Sequence, residues 1–435
     1  MSTPVALRKT FGLDDHQSGI STGDIPALMR VRQTFDRPRE SDVAAATRRE
    51  VAPFLAGVRP GQRIAITGSS RGIPNLAVAV REVAAAVREA GGEPFVVPGM
   101  GSHGGATAAG QIEVLANNGI TEETVRAPIR SSMEVIRVGT TSTGFPVYLD
   151  RNASDADGVV VVNRVKPHTG FTGKVESGIC KMMVIGLGKQ AGAQKIHQQG
   201  LKVEMRRMIL EASDIILAHS PAPFLGGIAL VDNAFKETAL VRGVSMDSHD
   251  ALVDEEAALL ETAYGHLPRI PFEDVDTLIV EEMGKNVSGS GMDTNVIGTK
   301  PGLERPRIGA IYVRSLTAET HGNATGIGQA DVMPRRLLEE IDLHSTYMNT
   351  FTAKRLAGSK MPLMAENDLQ AMQVCLTVRA EEDPATARVV RIRNTNLLAE
   401  FDASPGLHEE IEANPSLEVL DEAKPLRFDE RGNFA

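Results

Sequence analysis

The fold of this protein is decided by residues 159–197, which read VVVVNRVKPHTGFTGKVESGICKMMVIGLGKQAGAQKIH. The four valines that open the stretch are typical of a strand buried on both faces of a parallel sheet. Six glycines follow, together with lysines at positions 174, 181, 189 and 195 and histidines at 168 and 197. Glycine-rich turns after buried strands are where parallel α/β proteins bind anions. The stretch therefore predicts an anionic ligand at the carboxyl end of this strand.

The composition limits the class of protein. A chain of 435 residues predicts two to three domains at roughly 150 residues each. A net charge of −10 with no basic stripe argues against a nucleic-acid partner, and no apolar run approaches the ~20 residues of a membrane helix. The only cysteines, Cys180 and Cys375, exclude a cysteine-built cluster and fit a reducing compartment. We therefore expect a cytoplasmic protein without a membrane or nucleic-acid partner.

A strand followed by a glycine-rich loop recurs along the chain. The predicted strand at 63–67 leads into GSSRGIP and a helix, and the strand at 93–97 leads into GMGSHGGAT and another helix. Beyond residue 272, the strands at 277–280 and 308–313 again precede glycine-rich loops. This alternation predicts an α/β fold with parallel or mixed sheets.

The prolines at 268 and 271 indicate a domain boundary. We predict an N-terminal α/β domain over residues 1–272, to which residues 400–435 return. The C-terminal α/β domain is predicted over 273–399, with the active site in the cleft between the two domains.

Several side chains on these loops are candidates for chemistry. Arg71 is either a surface residue of a turn or a fork that grips a carboxylate or phosphate beside a helix N-terminus. His103 and His168 each follow a predicted strand, and loops of one parallel sheet can bring two imidazoles together as metal ligands or as an acid–base pair. Lys174 is either an exposed lysine or an amine that the surrounding glycines desolvate and make nucleophilic. His197, in a predicted helix, is either a surface residue or a ligand.

These motifs resemble the nickel-pincer lactate racemase family. The resemblance rests on Arg71 in GSSRGIP, His103 in GSHGGAT, the segment PHTGFTGK that contains His168 and Lys174, and His197. It is strongest over residues 63–197. It implies a nickel-pincer nucleotide cofactor, in which one arm is joined to a lysine as a thioamide and a histidine completes the nickel coordination.

Carried onto this chain, the resemblance implies a role for each matched residue. Lys174 would be the attachment lysine, His197 the nickel ligand, and His103 and His168 the two acid–base groups. Arg71 would contact the substrate carboxylate, and Lys300 is a candidate for a second substrate contact. Further cofactor contacts are assigned to the loop around Arg71 and to one more lysine, namely Ser69, Ser70, Gly72 and Lys189.

The implied activity is racemisation or epimerisation of a 2-hydroxy acid by reversible hydride transfer, with cofactor-synthesis enzymes needed for loading. Two histidines are needed because each enantiomer presents its hydroxyl in a different direction. The racemases carry an acid three residues before the arginine, where this chain has Gly68, and a tryptophan at the lactate pocket, whereas this chain has none. The substrate is therefore expected to differ from lactate.

Two other functions explain part of the same pattern. A metal-dependent hydrolase would use His103, His168 and His197 as three ligands with an open water position, which leaves the lysine cluster unexplained. A non-catalytic nucleotide- or phosphate-binding protein would use the glycine loops as anion sites, which leaves the paired histidines unexplained.

Overall fold

The structure is a computed structural model that describes residues 20–70, 72–199, 204–379 and 383–435, without the side chains of 197–199 and 379. The strands are β1 (Met29–Gln33), β2 (Arg63–Gly68), β3 (Glu93–Pro98), β4 (Val135–Thr140), β5 (Pro146–Asp150), β6 (Gly158–Arg164), β7 (Phe224–Asp232), β8 (Thr238–Val244), β9 (Asp274–Met283), β10 (Arg307–Leu316), β11 (Val332–Pro334), β12 (Leu363–Ala365), β13 (Val389–Ile392), β14 (Glu400–Ala403) and β15 (Leu417–Val419). The helices are α1 (Val43–Val51), α2 (Leu76–Glu89), α3 (Ala108–Asn117), α4 (Glu122–Val125), α5 (Arg151–Ser154), α6 (Ile179–Lys181), α7 (Lys189–Gln199), α8 (Met205–His219), α9 (His249–Gly265), α10 (Arg335–Glu340), α11 (Leu343–Thr352), α12 (Asp368–Arg379) and α13 (His408–Ala413). The predicted α/β class is confirmed.

The chain divides into two units. One, called the central unit from its place in the sequence, comprises Asp36–Leu267. The other, called the terminal unit, combines Met1–Phe35 with Pro268–Ala435.

The central unit is built on a five-stranded sheet in the order β3-β2-β6-β7-β8. Its first four strands are parallel, and β8 runs antiparallel to β7. Val159 and Val161 of β6 pack into the core that contains α8 and α9, whereas Val160 and Val162 pack into the core on α1 and α2. Each buried valine contributes roughly 1.5–3 kcal/mol, which explains why an unbroken apolar run forms the middle of the sheet.

The terminal unit contains an eight-stranded sheet in the order β12-β11-β10-β9-β13-β14-β1-β15. The five strands from β12 to β13 are parallel, and the last three are added antiparallel. On one face, the buried Asp368 of α12 accepts hydrogen bonds from Arg336 Nη2 at 2.6 Å, from Arg314 Nη2 at 2.8 Å and from the Tyr312 hydroxyl. The pKa of Asp368 is lowered to about 2 because these donors outweigh its burial.

The predicted return of residues 400–435 to the N-terminal domain is wrong. β14 pairs with β13 and β1, and β15 pairs with β1, so this segment completes the sheet of the terminal unit. Residues 20–35 belong to the same unit for the same reason, because β1 finds its hydrogen-bond partners only there within the described chain. Strand pairing between distant segments leaves no local signal in the sequence.

Within the described ranges, no helix has both the length and the apolar character that crossing a membrane would require.

Candidate functional site

Three loops bring most of the predicted site residues of the central unit to one edge of its sheet. β2 lies between β3 and β6 and is parallel to both, so the carboxyl ends of the three strands share that edge. The chain first adds β3 on one side of β2 and later β6 on the other, which creates the topological switch point where open α/β sheets bind ligands. Adjacent strands are ~4.8 Å apart, so the loops after β3 and β6 leave the sheet about 10 Å from each other. This spacing suits a small molecule held between two side chains.

The loop after β2 is tied to the loop after β3. Gly99 N–H donates to Gly68 O at 2.8 Å, and Ser69 is buried while Ser70 is half-buried. A side chain at Gly68 would begin 2.7 Å from Leu115 Cδ2, so an acidic residue has no room there unless Leu115 moves. Gly72 is exposed, and Arg71 lies outside the described residues.

His103 is exposed in the loop after β3, and its backbone is held by the side chain of the buried Gln111. The Gln111 Nε2 group donates to Gly101 O at 2.9 Å and to His103 O at 3.4 Å. The Gln111 Oε1 atom in turn accepts a hydrogen bond from Lys189 Nζ at 3.0 Å. A chain of two buried side chains therefore connects the interior to the backbone of His103.

Lys189 supports this loop from inside the core. It is fully buried, donates to Pro98 O at 2.5 Å and forms an ion pair with Asp150 Oδ2 at 3.1 Å, where Asp150 is also fully buried. Burial raises the pKa of Asp150 and lowers the pKa of Lys189, and their mutual attraction only partly offsets both shifts. The hydrogen bonds and the ion pair described for the ammonium group all go to protein atoms that support this loop, and the cofactor contact of Lys189 stays a prediction.

His168 lies half-buried in the loop after β6, against the ring of Phe171 at 4.3 Å between centroids. Its Nδ1 accepts the Gly170 N–H at 2.9 Å, so the neutral imidazole carries its proton on Nε2. The buried carboxylate of Glu176 accepts the His168 N–H at 2.5 Å and the Tyr264 hydroxyl at 2.9 Å. Backbone and ring are therefore both oriented by hydrogen bonds within the unit.

A second buried carboxylate lies under the helix that follows this loop. Glu256 Oε2 on α9 accepts the Cys180 N–H at 2.8 Å, and its Oε1 makes no hydrogen bond within the described chain. A side chain at Gly178 would collide with Oε1, which explains the glycine there. Burial raises the pKa of Glu256 from 4.5 to about 7 and, with Glu256 beside it, raises the pKa of the Cys180 thiol well above its usual value.

The two histidine loops meet through a π-helical turn, Met182–Gly186, that continues α6. Gly101 N–H donates to Gly186 O at 3.0 Å, and a side chain at Gly99 would collide with Met182 Sδ. π-turns are rare and are enriched at functional sites. Here the turn allows the backbone after β3 to lie directly on the segment after His168.

The lysines of this region differ in their exposure to water. Lys174 is 56% exposed and forms an ion pair with Asp254 Oδ1 at 2.6 Å, so the expected desolvation of its amine is wrong: the surrounding glycines leave it in solvent. Lys181 is half-buried and donates to Ser177 Oγ at 3.4 Å. The exposure of Lys181 is thus intermediate between that of Lys174, which lies in solvent, and that of Lys189, which is enclosed by its partners.

The predicted metal ligand and substrate lysine are placed only in part. The backbone of His197 lies in α7, but its side chain is outside the described residues. Among the described side chains, no group of three or more His, Cys, Asp or Glu residues could hold a metal.

Lys300 is buried in the terminal unit, in the loop that follows β9. Its N–H donates to Thr294 O at 3.2 Å, and the neighbouring Asp293 N–H donates to Thr395 Oγ1 at 3.0 Å. This bond links the loops after β9 and β13, so the terminal sheet has its own polar carboxyl edge.

The sequence did not reveal the supporting residues Gln111, Asp150, Glu176, Glu256 and Tyr264. Their contacts with Lys189, Cys180 and each other join positions up to 88 residues apart in the chain. Local patterns carry no signal for such pairs, and each of these residue types is ordinarily exposed or a common helix residue.

Comparisons with known proteins give a partial match. Residues 74–238, less than half of the chain, match the model of a domain of unknown function, DUF362. This range contains His103 and His168. No curated protein matches.

Two solved structures are similar in fold. A Thermotoga maritima protein from the Northeast Structural Genomics Consortium is 12% identical, with a TM-score of 0.50 over 83% of this chain and 99% of that one. The lactate racemase apoprotein of Thermoanaerobacterium thermosaccharolyticum is 13% identical, with a TM-score of 0.48 over 86% of this chain and 99% of that one. The chain is thus similar in fold to the Thermotoga maritima protein, and its central unit contains the segment that resembles the domain of unknown function.

Proposed function

We propose that the central unit racemises or epimerises a 2-hydroxy acid at the carboxyl edge of β3, β2 and β6, with His103 and His168 as the acid–base pair. The observation that carries the proposal is topological. The two histidines lie in loops that follow strands on either side of β2, and these strands end at one edge, about 10 Å apart by strand spacing. A substrate between them can meet one imidazole from each side, as inversion of a hydroxyl-bearing carbon requires.

The tautomer of His168 determines which histidine of the pair donates a proton and which accepts one. Because Nδ1 accepts the Gly170 N–H, a neutral His168 presents Nε2–H and donates a proton there. Accepting a proton at Nε2 requires that the ring first release the Gly170 bond. His103, whose backbone carbonyl accepts a hydrogen bond from Gln111, takes the hydroxyl proton in the direction where His168 donates. The carboxylate of the substrate is assigned to Arg71.

The residues assigned to this edge include the types of group that a nickel-pincer nucleotide needs, namely a lysine amine, an imidazole and backbone N–H groups. The covalent link is assigned to Lys174, as the sequence favours, with the half-buried Lys181 as the alternative, and His197 would supply the imidazole for nickel. Ser69, Ser70 and Gly72 line the loop after β2, where backbone N–H groups suit a phosphate. When bound, such a cofactor would take up and return the hydride at the substrate carbon, while the protein orients the hydroxyl and moves its proton. Cofactor-synthesis enzymes would have to load it, and two buried, unpaired cysteines agree with a cytoplasmic setting.

The test uses protein purified from its native host, or produced together with cofactor-synthesis enzymes. Enantiopure 2-hydroxy acids are incubated with it and inversion is followed by chiral chromatography. His103→Ala and His168→Ala should each lower the rate by a factor on the order of 10²–10⁴ and retain nickel. His219→Ala, an exposed histidine at the end of α8, is the control and should leave the rate unchanged. Loss of nickel in either site variant would favour the three-histidine hydrolase.

Peptide mapping of the same protein locates the covalent adduct. An adduct of nucleotide-derivative mass on Lys181 or Lys174 supports the proposal, and Lys174→Arg or Lys181→Arg should abolish whichever link is found. A loaded, nickel-containing protein that inverts none of the acids would refute the proposed reaction.

A further inference from the structure

An exposed apolar surface lies on the terminal unit, along α11 and the segment that follows it. Leu343, Tyr347 and Phe351 stand four residues apart on α11, which places them in one row along the helix. Phe351 is 69% exposed and Leu356, in the turn after the helix, is 65% exposed. We call the α11 surface the set of exposed large apolar side chains in this segment, namely Leu343, Tyr347, Met348, Phe351, Leu356, Met361 and Leu363.

The area of the α11 surface lies at the upper end of the range for a monomer. At about 150–250 Å² for a large side chain, the exposed fractions amount to roughly 600 Å². The largest apolar patch of a typical monomeric protein is about 300–600 Å². Two such surfaces face to face would bury roughly 1,200 Å², which is the lower limit for a specific interface.

Charges of opposite sign flank the two ends of α11. Glu339, Glu340 and Asp342 precede the apolar row and are exposed, and hydrogen bonds from Ser345 lower the pKa of Asp342, which keeps it charged. Beyond the row, the exposed cations are Lys354, Arg355 and Lys360. No Asp or Glu occurs between residues 343 and 365. The surface is therefore acidic at one end, apolar in the middle and basic at the other end.

We propose that the α11 surface is the contact between two copies of this chain related by a twofold axis, with α11 antiparallel to α11 of the second copy. A twofold interface uses the same patch on both copies, so it requires a patch that is complementary to itself. Antiparallel packing of the ten-residue helix, about 15 Å long, places the basic end of each copy beside the acidic end of the other. The row at four-residue spacing forms the ridge that packs between the side chains of the opposing helix.

The first experiment measures the mass of the full chain in solution by sedimentation velocity over a range of concentrations. The wild type should show a species of twice 46.5 kDa that dissociates on dilution, as expected for an interface of this size. Phe351→Ser and Leu356→Ser should each raise the dissociation constant by more than about tenfold. Leu397→Ser is the matched control, because Leu397 is 57% exposed in the same unit but outside the α11 surface, and it should leave dimerisation unchanged.

A charge exchange tests whether the charged ends of the α11 surface lie in the contact between the two copies. In the first variant, Lys354→Glu and Lys360→Glu make both ends of the surface acidic, and in the second, Glu339→Lys and Glu340→Lys make both ends basic. Each variant alone should be a monomer, and an equimolar mixture should form a dimer with one copy of each. Circular dichroism spectra equal to that of the wild type establish that both variants are folded.

A wild type of 46.5 kDa at all concentrations, unchanged association in Phe351→Ser, or a mixture that does not pair would each overturn the proposal. A monomer that sediments with anionic phosphatidylglycerol vesicles through Phe351 would also overturn it, in favour of a lipid surface as the partner.

Discussion

Glu256 makes the stability of the central unit depend on pH in a way that one substitution can isolate. Its carboxyl group is fully buried under α6, and burial raises its pKa in the folded protein from 4.5 to about 7. The folded state therefore holds this proton more tightly than the unfolded chain does. The stabilisation is complete below pH 4.5 and is lost as the pH rises through 7.

The size of the effect follows from the two pKa values. A pKa of 4.5 in the unfolded chain and about 7 in the folded one corresponds to roughly 3 kcal/mol in the free energy of unfolding. Between about pH 5 and about pH 8, the wild type should lose about 2–3 kcal/mol through this group alone. For a unit of this size that is about 5–10 °C in Tm.

Glu256→Gln removes the titration and keeps an oxygen for the Cys180 N–H. Urea unfolding of the full chain, followed by circular dichroism at several pH values, gives the difference between variant and wild type. That difference should shift by about 2–3 kcal/mol in favour of the variant from about pH 5 to about pH 8. Glu261→Gln, on the exposed face of the same helix, is the matched control and should show no such shift. Parallel pH curves for Glu256→Gln and the wild type would refute the reasoning.

Three further substitutions test other buried charges. Lys189→Met leaves the Asp150 carboxylate buried without its cation, so the free energy of unfolding measured in urea should fall by about 3–5 kcal/mol. Adding Asp150→Asn to this variant should restore most of the loss, and a double variant as unstable as the single one would contradict the reasoning. Glu176→Gln weakens a charge-assisted bond to the His168 N–H, so carbethoxylation of His168, mapped by mass spectrometry, should become roughly fivefold faster, and an unchanged rate would count against the positioning role. Asp368→Asn removes the anion shared by two guanidinium groups, and circular dichroism should show the terminal unit destabilised by about 3–5 kcal/mol; a loss below about 1 kcal/mol would be inconsistent with that role.

Much of the fold could be read from the sequence because the signals are local. The valines at 159–162 had to form a strand with both faces covered, and they pack alternately into two cores. The glycine-rich loops after 63–67 and 93–97 had to follow the carboxyl ends of parallel strands, and they do. Since those ends share an edge, the sequence alone also predicts that the loops with His103 and His168 leave the sheet at the same edge.

Only the tertiary structure decided which charged groups are buried and which strands pair over long distances. Lys174 and Lys189 lie in equally glycine-rich surroundings, yet one is in solvent and the other is enclosed with Asp150. The difference arises from partners remote in sequence, because burial of an ammonium group depends on whether a carboxylate from another element reaches it. Residues 400–435 could not be assigned from their own pattern either. An added strand pairs with whichever strands have unpaired backbone groups, and here β14 pairs with β13 and with β1.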